Sequence, residues 1–509
     1  MDKKIIFHLL GNALSAFSIT FFLPIVYSIF FAKDFLTTIY FLVPAISAGA
    51  VGILFAYLGR NHRRRLPVVD SAFAMLLMYP LLAIFGMMPF LYLKLLLPID
   101  ALLDTVSNLT SAGVSLLPGT APYVFRLWQS VLMWFGSLIF LVLLVTIMPE
   151  VGGCFGISLS LQSGQNFSPL FGQMLEMSKK ILKVYSFLTL LSVILFKMAG
   201  LGSWDSILTA MRCISTGGGD FFPARENFYA EYVAIFTMLM ACGNFLFVYR
   251  LIHKLPPPIS HARENVFRRA VYFVKRLKQN IFDTVKEFFG NSEVKAVVLI
   301  IFFGVSLIFL SAFHRGLFED GNEAFHHALF HLVSFMSTTG INLGNLEQAH
   351  DFEIFLIFLM AIFGGCMGSA TGGLKMMRVI VLAKVLSSEV TKTMHPNMVS
   401  TIRVNKITVP KKIVGRILAF FFLCVISLFI CATALSCTGL NFSNAVGMSA
   451  ACLTNTGILP GLCNPSDFLK LPYAGKILCM IILIVGRIEI FALLIVPAGL
   501  KFRRKNRKW

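Results

Sequence analysis

Four short polar segments, each ending in glycine, interrupt the apolar stretches of this chain. They lie at 110–113, 214–217, 337–340 and 454–457, and their glycines are 104, 123 and 117 residues apart. Four loops that turn carbonyl oxygens toward one axis can replace the water shell of a cation. Glycine suits such loops because it adopts backbone conformations that a Cβ forbids. Four segments in register therefore predict an ion pore. The sixteen candidate ligands are Thr110, Ser111, Ala112, Gly113, Ile214, Ser215, Thr216, Gly217, Ser337, Thr338, Thr339, Gly340, Thr454, Asn455, Thr456 and Gly457.

Composition places these segments in a membrane. The 509 residues are 57% hydrophobic and 13% charged, and the mean hydropathy is +0.80. A soluble domain carries about 25% charged residues. The first apolar run, from Ile5 to about Phe31, is long enough to span a bilayer, and we expect it to be retained rather than cleaved. The expected fold class is an all-α polytopic membrane protein.

The net charge of +20 is concentrated in four segments, at 60–65, 250–286, 375–416 and 501–508. An alternation of spans puts all four on the same side of the lipid bilayer. Cytoplasmic loops carry such an excess of lysine and arginine, so this distribution argues against a nucleic-acid surface. We expect a multi-pass protein of the cytoplasmic (inner) membrane with both termini in the cytoplasm and no nucleic acid among its partners.

A repeated unit would position the four polar segments. It consists of an apolar span, a short amphipathic segment, the glycine turn and a second span. The short segments place 12 or 13 residues before each glycine and start near Asp100, Asp205, His327 and Asn444. A helix of that length is about 18–20 Å long, too short to cross a core of about 30 Å. Irregular backbone at this depth must line a wet cavity or lie within protein. We therefore expect four pseudo-symmetric span–pore helix–span units around a central pore.

The predicted divisions follow from this unit. Two N-terminal transmembrane helices occupy 1–66, unit 1 occupies 67–150, a linker and unit 2 occupy 151–254, a linker and unit 3 with an intramembrane loop occupy 255–392, and unit 4 with a basic cytoplasmic tail occupies 393–509. The second spans are expected near 126–149, 229–252, 353–390 and 474–498.

The second span of unit 3 contains five glycines within ten residues. Each glycine costs a helix about 1 kcal/mol relative to alanine, so this stretch is predicted to be a non-helical gating loop below the polar turns. Close helix packing through small residues is the alternative. The candidate gating residues are Gly364, Gly365, Gly368, Ser369, Thr371, Gly372, Gly373 and Lys375, together with Arg487 in the last span.

Three charged positions within apolar segments need partners. A charge at mid-membrane costs roughly 2.5–3.5 kcal/mol, so Arg487 should face the pore or the bundle interior. Glu489 is expected to serve packing between units, and a structural ion pair between the two is the alternative. For Arg212 the sequence offers only a hypothesis of pairing with Asp205 or Asp220.

Four aspartates near the polar turns allow two interpretations: Asp100, Asp104, Asp205 and Asp220. They either attract cations to the outer mouth, or cap the short helices and solvate loops. The cysteines are mostly scattered in apolar segments, but Cys437 and Cys463 are expected on the outer side. We hypothesise a disulfide between them, which requires Cα atoms within about 7 Å.

The motifs resemble those of the Trk/Ktr/HKT potassium transporter superfamily, and in particular the bacterial Trk-type membrane subunit with two extra N-terminal helices. The most specific matches are 364–375, the run Gly486-Arg487-Ile488-Glu489-Ile490-Phe491, and His395-Pro396-Asn397. The resemblance implies a homodimer with one pore per protomer and control by a cytoplasmic regulatory ring that binds nucleotide (ATP/ADP or NAD) on a separate chain. It implies no cofactor on this chain and potassium as the only metal, bound at the polar turns.

Potassium uptake is the function that these features favour. In some relatives of the family, serine at the first-loop glycine accompanies sodium transport, whereas this chain has Gly113. A sodium or poorly selective transporter of the same architecture, or a cation-coupled secondary transporter, remains an alternative, because Ser111 and Ala112 depart from the family's threonines. Secondary transporters typically show an inverted repeat with one or two broken helices rather than four. An enzyme is not expected, since no HExxH or GxSxG motif is present.

The four glycines generate a prediction about selectivity. Replacing Gly113 or Gly340 with serine should relax the preference for potassium over sodium, because the Cβ restricts the backbone that aims the carbonyls. The relative flux of the two ions measures this preference. Unchanged relative flux in both variants would count against these glycines as ligands.

Overall fold

The computed structural model describes residues 3–60, 68–146, 171–219, 221–225, 227–245, 248, 290–316, 318, 320–344, 350–398, 401–405 and 407–490. The basic linker 250–286, the tail, Asp220 and the end of the last span lie outside these residues. The secondary-structure elements of the described part are helices, apart from one hairpin, Arg403–Val404 paired with Ile407–Thr408. Seven helices there are long and apolar enough to span a membrane, which confirms the predicted all-α polytopic fold. These are Lys3–Ala32, Phe35–Leu58, Ala72–Tyr92, Tyr123–Leu144, Ser178–Met198, Ser292–His314 and Lys411–Ser436.

The two N-terminal helices form a closely packed pair against unit 1. The first runs through Lys3–Thr20 and Phe22–Tyr27 and ends in a π-helical turn, Ser28–Ala32, and the second is Phe35–Leu58. Small residues let the backbones approach, since a Cβ added at Gly11 would lie 2.3 Å from the Ala56 nitrogen. Aromatic rings join the pair to unit 1, with the Phe21 and Trp128 centroids 4.3 Å apart.

Each of the four units contains a first span, a short helix that we call a half-helix, and a second span. The first spans are Val68–Gly86 with its continuation Met88–Tyr92, Phe171–Met198, Ser292–His314 and Lys411–Ser436. The half-helices are Pro98–Leu109, Ser203–Ser215, Gly321–Met336 and Phe442–Thr454. The second spans are Tyr123–Thr146, Phe228–Cys242, Asp351–Phe363 resumed by Met376–Met394, and Tyr473–Ile488. A short outer helix, Pro465–Lys470, precedes the last of these.

Two second spans are interrupted where the sequence predicted a continuous helix. The helix of unit 2 ends at Cys242 because Gly243 is extended, with φ −74° and ψ 168°, so the continuous span predicted at 229–252 is wrong. The helix of unit 4 ends at Ile488 because Glu489 takes a positive φ of 65°, so it does not continue unbroken toward 498. In both cases the break follows residues that contact the unit 3 loop, as described below.

Half-helix 3 starts earlier than predicted. It begins at Gly321 rather than near His327, because Asp320 caps it by accepting a hydrogen bond from the Asn322 N–H at 3.1 Å. The other three half-helices begin within a few residues of the predicted positions.

The half-helices are buried inside the bundle, while the first spans keep an apolar outer face. Gly136 and Gly486 on the second spans admit the ends of half-helices 1 and 4, since an added Cβ would lie 1.9 Å from the Leu109 oxygen and 2.4 Å from the Leu453 oxygen. On the outer face, Phe302 is 67% exposed and Ile430 is 63% exposed. So much exposed apolar surface around a polar interior is what a bilayer requires.

Candidate ion pathway

The loops after half-helices 1, 3 and 4 have the same backbone turn. In loops 1, 3 and 4 the second residue of the polar segment is left-handed, as in Ser111 with φ 61° and Thr338 with φ 53°. Two residues later the glycine also has a positive φ, 75° at Gly113 and 72° at Gly340. At these positive φ angles a residue with a Cβ would strain the backbone, which explains why glycine stands at both positions.

Loop 2 starts its turn one residue later than the sequence predicted and completes it differently. Its left-handed residue is Thr216, with φ 54°, which makes Gly218 rather than Gly217 the equivalent glycine by position, but the positive φ that follows lies at Gly219, with 104°. Hydrogen bonds agree, because Gly217 N–H donates to the Arg212 carbonyl at 3.0 Å as Thr339 N–H does to Ser334 at 2.8 Å. Ile214 therefore belongs to the half-helix, where its side chain is buried in an apolar cluster. Because residues 217–219 are all glycine, the sequence alone does not show which of them is equivalent to Gly113, Gly340 and Gly457.

The four equivalent glycines close into a ring, which we call the glycine ring: Gly113, Gly218, Gly340 and Gly457. A Cβ added at Gly218 would lie 1.9 Å from the Thr339 oxygen, and one at Gly340 would lie 2.4 Å from the Thr456 oxygen. A Cβ at Gly457 would lie 2.0 Å from the Ala112 oxygen. The backbones of consecutive loops thus touch in cyclic order, with carbonyl oxygens at the contacts.

The second residue of each loop ties the ring to the surrounding spans. Ser111 donates to the Met133 carbonyl at 3.3 Å, and the Asn455 amide donates to the Leu483 carbonyl at 2.9 Å. In the other two loops the partner is the unit 3 loop, since Thr216 donates to the Ala370 carbonyl at 3.2 Å and Thr338 accepts from the Gly372 N–H at 2.9 Å. The loops that carry the residues predicted to form one site therefore converge, and Ile214 is the exception because it belongs to half-helix 2.

The unit 3 loop, residues 364–375, is non-helical and largely buried. The helix stops at Gly364, with φ 67°, and resumes after Lys375, with φ 71°. Lys375 is 2% exposed and folds back on the loop, donating to the Ser369 carbonyl at 3.3 Å and to the Thr371 hydroxyl at 3.1 Å. The eight loop residues predicted to take part in gating therefore lie in one compact segment beside the ring.

Arg487 contacts this loop. Its guanidinium donates to the Ala370 carbonyl at 3.0 Å and to the Ser111 hydroxyl at 3.2 Å, and it lies 4.2 Å from the centre of the Phe140 ring. Its charge is therefore placed between the loop and the first polar turn. Glu489 pairs instead with Arg378 at 2.8 Å, which joins unit 4 to the helix that follows the loop.

The inner side of the loop is held by residues that sequence analysis missed. The Glu293 carboxylate accepts from the Met367 N–H at 3.0 Å, and the Cys242 carbonyl accepts from the Cys366 N–H at 3.0 Å. The Cys242 contact explains the break at Gly243, because the interrupted helix end supplies a carbonyl to the loop. A glutamate at the start of an apolar span was a signal that could have revealed Glu293.

Residues 83–502 of the chain match the family model named TrkH, described as a cation transport protein. The match includes the four half-helices, the glycine ring and the unit 3 loop. The chain belongs to the TrkH cation transport family. Its membership places it among multi-span cation transporters.

Individual relatives agree over nearly the whole length. The Trk system potassium uptake protein TrkH of Halomonas elongata is 26% identical over 504 residues, covering 97% of this chain and 98% of the relative. The protein of the same name from Escherichia coli K12 is 23% identical over 458 residues, covering 88% of each chain. The crystal structure of the potassium transporter TrkH from Vibrio parahaemolyticus shares the fold, with a TM-score of 0.80, 23% identity and coverage of 97% and 98%.

In this TrkH family member, polar contacts behind loop 1 form a buried network. The Asp104 carboxylate is fully buried and accepts from the Leu116 N–H at 2.8 Å, the Gln129 amide at 2.9 Å and the Asn108 amide at 2.8 Å. Asp100 forms a buried ion pair with Lys476 of unit 4. Both aspartates therefore brace the half-helix through these contacts, and neither caps it, because Leu97 is at the N-cap position. Lys476 was missed, although a lysine in an apolar span signals a buried partner.

Two further expectations have an outcome. Arg212 does not pair with Asp205, which instead accepts from the Tyr123 hydroxyl at 2.8 Å, and the hypothesised pairing with Asp220 lies outside the described residues. Cys437 and Cys463 are free thiols, the first exposed and the second buried under the outer helix, so the hypothesised disulfide is absent.

The buried pair between Asp100 and Lys476 generates a prediction. Lys476→Met leaves a buried carboxylate without its counter-charge, and breaking such a pair costs about 3–5 kcal/mol. We expect the purified protein to melt well below the parent in detergent, and Asp100→Asn in the same chain to restore part of the loss. Lys470→Met is the matched control, because this lysine is 77% exposed and lies 3.9 Å from Asp467. Equal melting temperatures for Lys476→Met and Lys470→Met would contradict the prediction.

Proposed function

We propose that this protein carries potassium into the cell across the cytoplasmic membrane, through a selectivity filter built from the four loops. The observation that carries the proposal is the glycine ring, in which four separate loops touch in cyclic order through backbone carbonyls. The names of the relatives, which are potassium uptake proteins, support potassium as the ion.

The filter would act through backbone oxygens. Carbonyls replace the hydration shell of a potassium ion without a net charge that would trap it. All four ring positions are glycine, which supports potassium over sodium. Ser111 and Ala112 alter the side chains of loop 1 but keep its carbonyls, and the Ser111 hydroxyl is occupied by hydrogen bonds on the side away from the ring.

The unit 3 loop would be the gate below the filter. It is tied to loop 2 through Thr216 and to loop 3 through Thr338, so it cannot move without releasing hydrogen bonds to the filter. Arg487 adds a positive charge beside the same segment, which disfavours a cation there. Withdrawal of the loop would break the contact between Arg487 and the Ala370 carbonyl and open the path.

A cytoplasmic partner would control the gate from the inner side of the membrane. The helix Met376–Met394 begins where the loop ends, and its far half has exposed apolar side chains, with Leu386 68% exposed and Met394 66% exposed. We propose that the protein is a homodimer and that a cytoplasmic regulatory ring, which binds ATP/ADP or NAD, pulls on this helix. The relatives are named as parts of a Trk system, which supports a partner.

Rubidium uptake tests the function. We expect cells that lack their own potassium uptake to accumulate rubidium when they express this protein. Gly457→Ala should abolish uptake, because its Cβ would lie 2.0 Å from the Ala112 oxygen. Gly119→Ala is the matched control, since an added Cβ there meets nothing within 4 Å. Absence of rubidium uptake in the parent, with the protein present in the membrane, would overturn the proposal.

The gate generates a separate prediction. Deleting residues 368–373 should raise the basal rubidium flux and weaken its regulation, while the preference for potassium over sodium is kept. Lys375→Met, which removes the ammonium that holds the loop folded, should raise flux in the same direction. A deletion variant that inserts normally and conducts no faster than the parent would favour helix packing as the role of these glycines.

A further inference from the structure

Arg212 gives loop 2 a scaffold unlike those of loops 1 and 3. It lies six residues before the ring glycine, the position that Ser107 and Ser334 occupy in the other two loops. Those serines hold the residue after the glycine: Ser107 accepts from the Val114 N–H at 2.8 Å, and Ser334 donates to the Ile341 carbonyl at 2.8 Å. A small neutral hydroxyl therefore stands behind loops 1 and 3, and a guanidinium behind loop 2.

The guanidinium reaches the glycine ring itself. One nitrogen of Arg212 donates to the Gly218 carbonyl at 3.2 Å and to the Phe221 carbonyl at 2.8 Å. The carbonyls of the other three ring glycines accept no protein hydrogen bond in the part of the chain that the structure describes. A carbonyl that is already bound to a cationic donor offers less electron density to a passing ion.

The ring is also irregular where loops 1 and 2 meet. At the other three contacts the closest atom to the added Cβ is the carbonyl oxygen of the residue before the next ring glycine, such as Thr339 or Ala112. At this contact a Cβ on Gly113 would instead meet the nitrogen and carbonyl carbon of Gly218 at 2.8 Å. The quadrant of the ring that Arg212 contacts is therefore the one with different geometry.

The charge of Arg212 has a buried counterpart. Arg212 is 1% exposed, and its Nε donates to the Ser130 hydroxyl at 2.8 Å. The next residue, Gln129, donates to the Asp104 carboxylate at 2.9 Å behind loop 1. Positive charge behind loop 2 and negative charge behind loop 1 are thus linked through two adjacent residues of one second span.

We propose that Arg212 and Asp104 determine, with opposite signs, the affinity of the outermost cation site at the glycine ring. This inference rests on the proposed function. Arg212 weakens the site by engaging the Gly218 carbonyl and by its charge, whereas Asp104 strengthens the site by partly offsetting that charge. The arginine makes the site release its ion readily, at the expense of affinity for external potassium.

Rubidium uptake kinetics with point variants test this inference. Arg212→Gln keeps hydrogen-bond donors and removes the charge, so KM for external rubidium should fall about three- to tenfold, because a positive charge beside the site no longer repels the ion. Asp104→Asn should raise KM by a similar factor. Arg212→Lys keeps the charge and should leave KM within about twofold of the parent. The two neutral substitutions combined should show coupling, with KM near the parent value.

The possible outcomes separate the two proposals. Opposite shifts of KM in Arg212→Gln and Asp104→Asn support the inference, because loss of folded protein changes only the maximal rate. An unchanged KM in both variants, while the parent transports rubidium, overturns the inference and leaves the proposed function intact. A parent that transports no rubidium overturns both. If Arg212→Gln does not fold, the direction of the KM shift in Asp104→Asn decides.

Discussion

Close contact between the backbones of four loops is the constraint on which the rest of this structure depends. At Gly218 and Gly457 even a single Cβ would lie within about 2 Å of a carbonyl oxygen of the next loop. Such contact is possible only if each loop is held from behind, because irregular backbone at membrane depth has no water to complete its hydrogen bonds. The half-helices, the second-span glycines and the buried polar side chains all serve this requirement.

Buried charges supply much of that support, and each joins parts of the chain that are distant in sequence. Asp100 pairs with Lys476 across units 1 and 4, and Arg378 pairs with Glu489 across units 3 and 4. Arg487 is different, since its hydrogen bonds go to the Ala370 carbonyl and a hydroxyl rather than to a carboxylate. An incompletely neutralised charge beside the loop suits a gate, whereas the ion pairs suit a scaffold.

Much of this architecture was predictable from periodicity, and the rest depended on contacts that no local pattern encodes. Half-length helices before regularly spaced glycines predicted the units, and the glycine cluster predicted the unit 3 loop. The register of loop 2 was not predictable, because consecutive glycines give no preference, and the left-handed residue Thr216 and the hydrogen bond from Gly217 to Arg212 decide it. The break at Gly243 depends on a carbonyl used by Cys366, and the partners of Arg212 come from a different unit and from the backbone.

Locating bound ions would test the central claim most directly. Rubidium or thallium, soaked into the purified protein and located by anomalous scattering, should lie on the axis of the glycine ring. We expect the ions to be surrounded by carbonyls of residues 111–113, 216–218, 338–340 and 455–457, with the loop 2 ligands in the register set by Thr216. Ions bound outside the ring would contradict the account, and so would ions coordinated by the Ile214 carbonyl, which the sequence predicted as a loop 2 ligand.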